Sequence, residues 1–346
     1  MVTASGRRRV TITDVARHAG VSTSAVSKVL REAYGVSDAM RVRVRAAMAE
    51  LEYRPHAAAR GMRGRTYTVG VLLDNIRNAF FADILDGASE ELRGGAYQML
   101  VGAAGFGQED QTRLARAMVD RQMDGLILIG PGFPRAEVLR TAAALPTVVI
   151  GHHDLGVGYD AVLDADAEGA GLVVDHLVEL GHRRIALTST DVNEGNGWSG
   201  TPERIQARGY LDAMRRHGLG DLARVAMTSY SEEGGYRAGM ELLAPGAGPV
   251  PTAVFAGADV AALGVFRAAR ELGLRIPEDV SLAGYNNTAV AALTPVQLTS
   301  VDQAGGEMGA TAARLLLERV EGRERSVRVC MSPRLVVRNT TGPPAA

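Results

Sequence analysis

Residues 11–30 read TITDVARHAGVSTSAVSKVL, and this stretch decides how the head of the chain folds. Thr11, with Asp14 three positions on, is a helix start whose side chains can satisfy free backbone N–H groups. Ile12, Val15, Ala16 and Ala19 recur at helical spacing and make one apolar face. Gly20 stands where that helix stops, because glycine enters the left-handed conformation of a tight turn without strain. Ser22 caps a second helix, in which Ala25, Val26, Val29 and Leu30 turn inward. Thr23, Ser24, Ser27 and Lys28 are left facing out. Two short helices joined by a tight turn present an exposed helix that fits the DNA major groove. Short hydroxyls and one long cation suit groove and phosphate contacts. Lys28 is the only lysine among 346 residues.

The same local pattern fits an amphipathic hairpin with no nucleic-acid role, so the surroundings matter. Ser37 starts a third helix in which Val44, Ala47, Met48 and Leu51 share a face, while Arg41 and Arg45 lie elsewhere on its surface. Tyr53-Arg54-Pro55 ends it. Residues 1–66 hold thirteen Lys and Arg against five Asp and Glu, a formal charge of +8. The whole chain carries −1, which leaves −9 on the remainder. A basic head on an acidic body suits a polyanionic partner whose binding weakens with salt.

Further on, strand-like and helix-like runs alternate. Thr68–Leu73, Gly125–Ile129 and Val148–Ile150 read as strands around helices at Ala82–Arg93 and Gln111–Asp120. A second cycle runs from helix Gly169–Leu180 and strand Ile185–Thr188 to helix Pro202–Arg216. It continues through strand Ala253–Ala256 and helix Val260–Leu272 to Val280–Tyr285, the last clear strand. Such alternation predicts two doubly wound parallel-sheet lobes. Ligands in these folds bind beyond the carboxyl ends of the strands, here between the lobes. The candidates are Asp74–Phe81, the Gly151–Asp154 turn, the Asn193–Trp198 loop, Asp259 and Asn286. Asp259 reads either as an acceptor for ligand hydroxyls or as a helix N-cap. Trp198, the only tryptophan, reads either as a stacking surface for a ligand or as a cover for the lobe edge.

Thr11–Gly70 resembles the DNA-binding head and hinge of the LacI/GalR family of bacterial repressors. The matching pieces are TITDVARHAGVSTSAVSKVL, YGVSDAMRVRVRAAMAELEYRPHAAARGMRGR and TVGVLL. The resemblance continues in NAFF at 78–81, HLVELGHRRIAL at 176–187, ARELGLRIPEDVSLAGYNN at 269–287 and LVVRNTT at 335–341. It implies a small all-α head over residues 1–57, a hinge helix or linker over 58–67, and a two-lobed, periplasmic-binding-protein-like body over 68–346. It places Thr23, Ser24 and Lys28 at base-reading positions, and makes Thr11, Ser22, Ser27, Tyr53 and His56 phosphate-contacting or positioning residues. Met62 stands where the family has a leucine that wedges into the minor groove. Methionine is a softer wedge. The implied protein is a cytoplasmic homodimer that binds double-stranded operator DNA under the control of a sugar or related metabolite.

In the body the resemblance points to Phe80, Phe81, Gln206, Asp259 and Asn286 as effector contacts, to which the loop position of Trp198 adds that residue. Several anchors depart from the family pattern. Ala258 replaces an Asn, and Gln206 replaces an arginine for which Arg204 or Arg208 would have to substitute. Asn286-Asn287 replaces Asp-Asp, and Asn78-Ala79 replaces Asn-Pro. These changes predict an atypical effector, less anionic or less hydroxylated than the usual sugars.

Other classes fit poorly. No G-x-S-x-G, P-loop or H-E-x-x-H pattern marks an enzyme, and no cofactor is implied. His152, His153 and Asp154 are adjacent on one turn, which rarely converges on a metal. No apolar run reaches membrane-spanning length, and no signal-like segment follows the basic start. Cys330 is alone, so no internal disulfide framework is expected. The TTGPPAA end predicts no tetramerising helix. A two-lobed small-molecule binding protein without a DNA role is the competing function.

Overall fold

Thr11 and Asp14 cap each other: the Thr11 amide and hydroxyl donate to the Asp14 carboxylate at 2.9 and 2.7 Å, and the Asp14 amide donates back at 3.4 Å. This reciprocal cap starts α1 (Ile12–Ala19), which Gly20 closes with φ 62°. The Ser22 hydroxyl accepts the Ala25 amide at 3.1 Å to open α2 (Thr23–Leu30). Ser37 caps α3 (Asp38–Glu50) by accepting the Met40 amide. Val15, Val26 and Val44, one from each helix, are fully buried, with Ala16, Val29, Ala47 and Tyr53 around them. The computed structural model describes residues 10–30, 34–53, 65–154, 156–190, 197–246 and 249–345. The chain divides into two compact units, Met1–Thr66 and Tyr67–Ala346.

The second unit is built from two six-stranded sheets. The first lobe contains β1 (Thr68–Leu73), α4 (Ala79–Leu92), β2 (Gln98–Ala103), α5 (Gln108–Asp120) and β3 (Gly125–Ile129). It continues with α6 (Arg135–Ala144), β4 (Thr147–Ile150) and β5 (Asp160–Asp164). The second lobe contains α7 (Asp166–Glu179), β6 (Ile185–Thr190), α8 (Pro202–Arg216), β7 (Arg224–Thr228) and α9 (Glu232–Leu243). It continues with β8 (Ala253–Ala256), α10 (Asp259–Glu271), β9 (Ser281–Asn286) and β10 (Thr299–Asp302). The chain then returns to the first lobe as α11 (Gly305–Val320) and β11 (Arg328–Met331), and ends in the second as β12 (Arg334–Val336).

Strand order is β11-β5-β4-β3-β1-β2 in one sheet and β12-β10-β9-β8-β6-β7 in the other. All the pairs are parallel except β10 with β12. Central strands such as β3 and β4 are buried along their whole length, as strands covered by helices on both faces must be. The chain crosses between lobes at 164–166, 302–305 and 331–334. The three crossings lie side by side because β5, β10, β11 and β12 occupy the same edge region of the two sheets.

The alternating pattern predicts most of these elements within a few residues. It does not anticipate α6, β5, β10, α11, β11 or β12, and so misses all three crossings. α11 opens with Gly305-Gly306 and carries Gly309, residues that weaken a helical pattern. Packing explains them. A Cβ at Gly309 would lie 1.9 Å from the Ile84 carbonyl oxygen, and one at Gly87 would lie 1.9 Å from that of Gly306. Glycine lets α4 and α11 meet backbone to backbone.

Candidate functional site

One face of α2 is open to solvent. Thr23, Ser24 and Lys28 are solvent-exposed, as is Ser22 at its cap, while Val26 and Val29 on the opposite side are buried in the core. Thr11 is exposed at the start of α1. One expected surface residue differs. Ser27 is only 8 % exposed, although it shares a helix face with Thr23 and Ser24. Tyr53, expected to contact phosphate or to position, is 8 % exposed and packs into the core of the head. His56 and Met62 lie outside the described residues.

In the body a cavity of about 420 Å³ opens between the lobes. The loop after β1 and the start of α4 contribute Asp74, Asn75, Asn78, Phe80 and Phe81. Gly151 and His152 follow β4, and Thr201, Pro202, Glu203 and Gln206 come from the start of α8. The crossings themselves supply Asp164, Asp166 and Gln303, and β9 ends in Tyr285 and Asn286. The cavity therefore sits at strand carboxyl ends, where open parallel sheets bind ligands. The alternating pattern does not point to Asp164, Asp166 and Gln303, since it does not mark β5 and β10 as strands. The run DAVLDAD, with its apolar centre followed by acids, is the signal that could have found them.

Burial raises the Asp164 carboxyl, an effect that hydrogen bonds from Gln303 and Tyr285 only partly offset. Asp166 is pushed well above the usual carboxylate range by burial, then by the like charges of Asp164 and Glu203. The Tyr285 hydroxyl donates to Asp164 at 3.1 Å. His153 Nε2 lies 2.7 Å from the other face of this cluster, at Asp166 Oδ2. Burial lowers His153, so both members of that pair favour their uncharged forms. His152 is held near 4 by burial and is a neutral imidazole at neutral pH.

Phe80, Phe81, Gln206 and Asn286 line the cavity, as the sequence reading expects of effector contacts. Gln206 is tied by the Tyr230 hydroxyl at 2.9 Å and donates to the Gly257 carbonyl at 3.2 Å. Three other candidates are not among the lining residues. Asp259 is 2 % exposed, and its carboxylate accepts the Thr288 amide at 2.7 Å and the Thr288 and Ser300 hydroxyls at 3.0 and 2.6 Å. It is the first residue of α10, not its cap, which is Ala258. Trp198, 3 % exposed, is buried in the first lobe, where its indole N–H donates to the Phe133 carbonyl at 2.9 Å. Arg204 lies elsewhere on the first turn of α8.

The Gly151–Asp154 turn diverges as adjacent residues must. His152 Nε2 meets the Pro131 carbonyl, His153 meets Asp166, and Asp154 accepts the Ser199 and Gly200 amides. Among the described residues no group of three or more His, Cys, Asp or Glu is arranged to hold a metal ion, and no helix is long and apolar enough to cross a membrane.

A capped helix-turn-helix unit joined to a two-lobed body with an interlobe cavity defines a ligand-binding transcriptional regulator. Residues 11–56 match the bacterial regulatory proteins of the lacI family, and residues 174–341 match the periplasmic binding protein-like domain. The chain is 33 % identical over 338 residues to the HTH-type transcriptional repressor PurR of Erwinia tasmaniensis, covering 95 % of this chain and 96 % of that one. The lac repressor dimer bound to operator and the anti-inducer ONPF superposes with a TM-score of 0.78 at 26 % identity, over 97 % of this chain and all of that one. A LacI family transcriptional regulator from Enterococcus faecium with bound ribose gives 0.69 at 29 % identity, over 80 % and 99 %. The chain belongs to the LacI family: it is a transcriptional repressor with a ligand-binding domain, not an enzyme. The reading as a binding protein without a DNA role falls away.

Proposed function

We propose that this repressor binds a pseudo-palindromic operator as a cytoplasmic homodimer and is switched by a sugar or related metabolite held between its lobes. One observation carries the reading. The same chain presents an exposed polar edge, Thr23, Ser24 and Lys28, on a capped recognition helix, and separately a built cavity at the crossings between two lobes. Thr23, Ser24 and Lys28 read bases, while Thr11 and Ser22 contact or position phosphates. Residues 1–57 act as the head, 58–67 as the hinge with Met62 as its wedge, and 68–346 as the effector body.

Dimerisation is supported by edge strand β2, which exposes Leu100 and Val101. The dimeric, operator-bound lac repressor supports both the symmetry and the two half-sites. Bound ribose in the Enterococcus regulator supports a sugar-like effector. Phe80, Phe81, Gln206 and Asn286 contact it. The effector shifts DNA affinity by binding one lobe arrangement better than the other. Selecting operators from a random duplex library and titrating the best one with and without candidate metabolites tests the reading. It predicts a two-fold-symmetric site and an effector-dependent change in affinity.

A further inference from the structure

The charge of the cavity wall is one-sided. Asp74, Asp164, Asp166 and Glu203 all line it, and no described Lys or Arg does. His152, the only imidazole among the described wall residues, is neutral at neutral pH because burial lowers it to about 4. Outside the wall, His153 touches Asp166, and the Arg328 charge is felt at His153. Neither places a cation inside. Phe80, Phe81, Phe106, Tyr230 and Tyr285 supply aromatic surface to the same space.

Asn286 and His152 each bring to the wall a polar atom that has no partner. Asn286 is 9 % exposed, and its side-chain amide donates to Gln303 at 2.5 Å while its Oδ1 accepts nothing. His152 is 3 % exposed, with Nε2 on the Pro131 carbonyl and Nδ1 without a partner. Buried polar atoms left unmade are costly, and a ligand that satisfies them gains accordingly. The unpartnered Asn286 oxygen can accept a ligand hydroxyl, while the acids and aromatic rings of the same wall favour positive charge.

We propose that the effector is an organic cation, a hydroxylated amine whose ammonium lodges among Asp164, Asp166 and Glu203 while its hydroxyls meet Asn286 and Gln206. This rests on the reading of the cavity as the effector site. A phosphorylated or carboxylated metabolite would bring a charge of the wrong sign to four acids with no counter-ion. An uncharged polyol would leave those acids to be carried as protonated groups. An ammonium lets them ionise and be paired, and the aromatic rings favour it further.

The test uses the full-length protein and matched probes: D-glucosamine against D-glucose, benzylamine against benzyl alcohol, and D-glucose 6-phosphate as the anion. Calorimetry and thermal shift are expected to show each amine binding at least roughly tenfold tighter than its hydroxyl partner, with no binding of the phosphate. Glu203→Gln should erase much of that preference, read as the ratio of amine to hydroxyl affinity in the same variant, and the wild-type comparison stands even if the variant folds poorly. Hydroxyl or phosphate compounds that bind as well as the amines overturn the cationic class while leaving the cavity as an effector site. If none of the probes binds, the inference and the assignment of the cavity both fall.

Discussion

Trp198 lies nearly flat on His152, with ring centroids 4.0 Å apart and planes 27° from parallel. His152 follows β4 of the first lobe, whereas Trp198 belongs to the segment between β6 and α8 of the second. The second lobe thus sends its tryptophan into the apolar core of the first, among Phe133, Val138 and Tyr159. Asp154 fastens the same segment by accepting the Ser199 amide and hydroxyl and the Gly200 amide. His153 donates its backbone N–H to the Gly200 carbonyl at 2.7 Å. Stack and latch together hold the lobes on one side of the cavity.

Trp198→Ala should therefore cost about 3–5 kcal/mol of stability, the usual range for deleting a fully packed large aromatic. Urea unfolding followed by circular dichroism measures it. A loss under about 1 kcal/mol would mean that the indole is not packed as described. Because Trp198 is the only tryptophan, its emission also reports on the junction of the lobes, and a ligand that changes lobe closure should shift it.

Asp154 is pushed up by burial, but the hydrogen bonds from Ser199 and Gly200 outweigh this and leave its carboxyl below the ordinary value. A depressed folded value means that the latch stabilises above the unfolded carboxylate pKa and is lost as pH falls through the folded one. Asp154→Asn should flatten part of the acid limb of a stability-versus-pH curve. An unchanged limb would assign that pH dependence to other carboxylates.

Asp259 behaves in the opposite sense. Burial raises it to about 6 despite the bonds from Ser300 and Thr288. An acid raised on folding binds its proton more tightly in the native state, so stability falls as pH rises from about 4 to about 6. The shift corresponds to about 3 kcal/mol. Asp259→Asn, which keeps an acceptor for the Thr288 amide, should remove that slope in urea midpoints across the same range. If variant and wild type keep parallel curves, Asp259 is not the source.

Gly309→Ala would place a methyl 1.9 Å from the Ile84 carbonyl. Such an overlap between two helix backbones can be relieved only by moving α11, and should cost on the order of 1–3 kcal/mol. Thermal unfolding should drop accordingly. A variant as stable as wild type would show that the two helices are not in backbone contact.

Lys28→Arg probes the recognition helix. Arginine presents a planar fork where lysine offers a point charge, although both donate to guanine. Selection of operators with the variant should change the base preference at one position in each half-site. Uniform weakening at every sequence would place Lys28 on phosphate instead.

The head was legible because its signals are local. The Thr11–Asp14 cap, the Gly20 stop and the Val15, Val26 and Val44 core all follow from neighbours within a few residues or from helical spacing. The strands β1, β3 and β8 were legible because runs buried on both faces are continuously apolar. The site was less so. Asp259 looked available to a ligand because it follows β8, yet Thr288 and Ser300, 29 and 41 residues away in sequence, take its oxygens. Trp198 looked like a stacking platform because nothing in a glycine-rich loop says that the other lobe will swallow it. Asp164 and Asp166 escaped because β5 is short, ends in an acid, and is defined by its pairing with β4 and with β11 far along the chain.

The central claim is that the basic head reads a specific duplex and the body controls it. Fluorescence anisotropy of a labelled, selected operator, titrated with full-length protein across a salt series, tests it most directly. The account predicts tight binding to a symmetric site, a steep linear fall of log affinity with log salt, and loss of sequence preference in Thr23→Ala with Ser24→Ala. Equal binding to scrambled duplex, or affinity unmoved by salt, would contradict it.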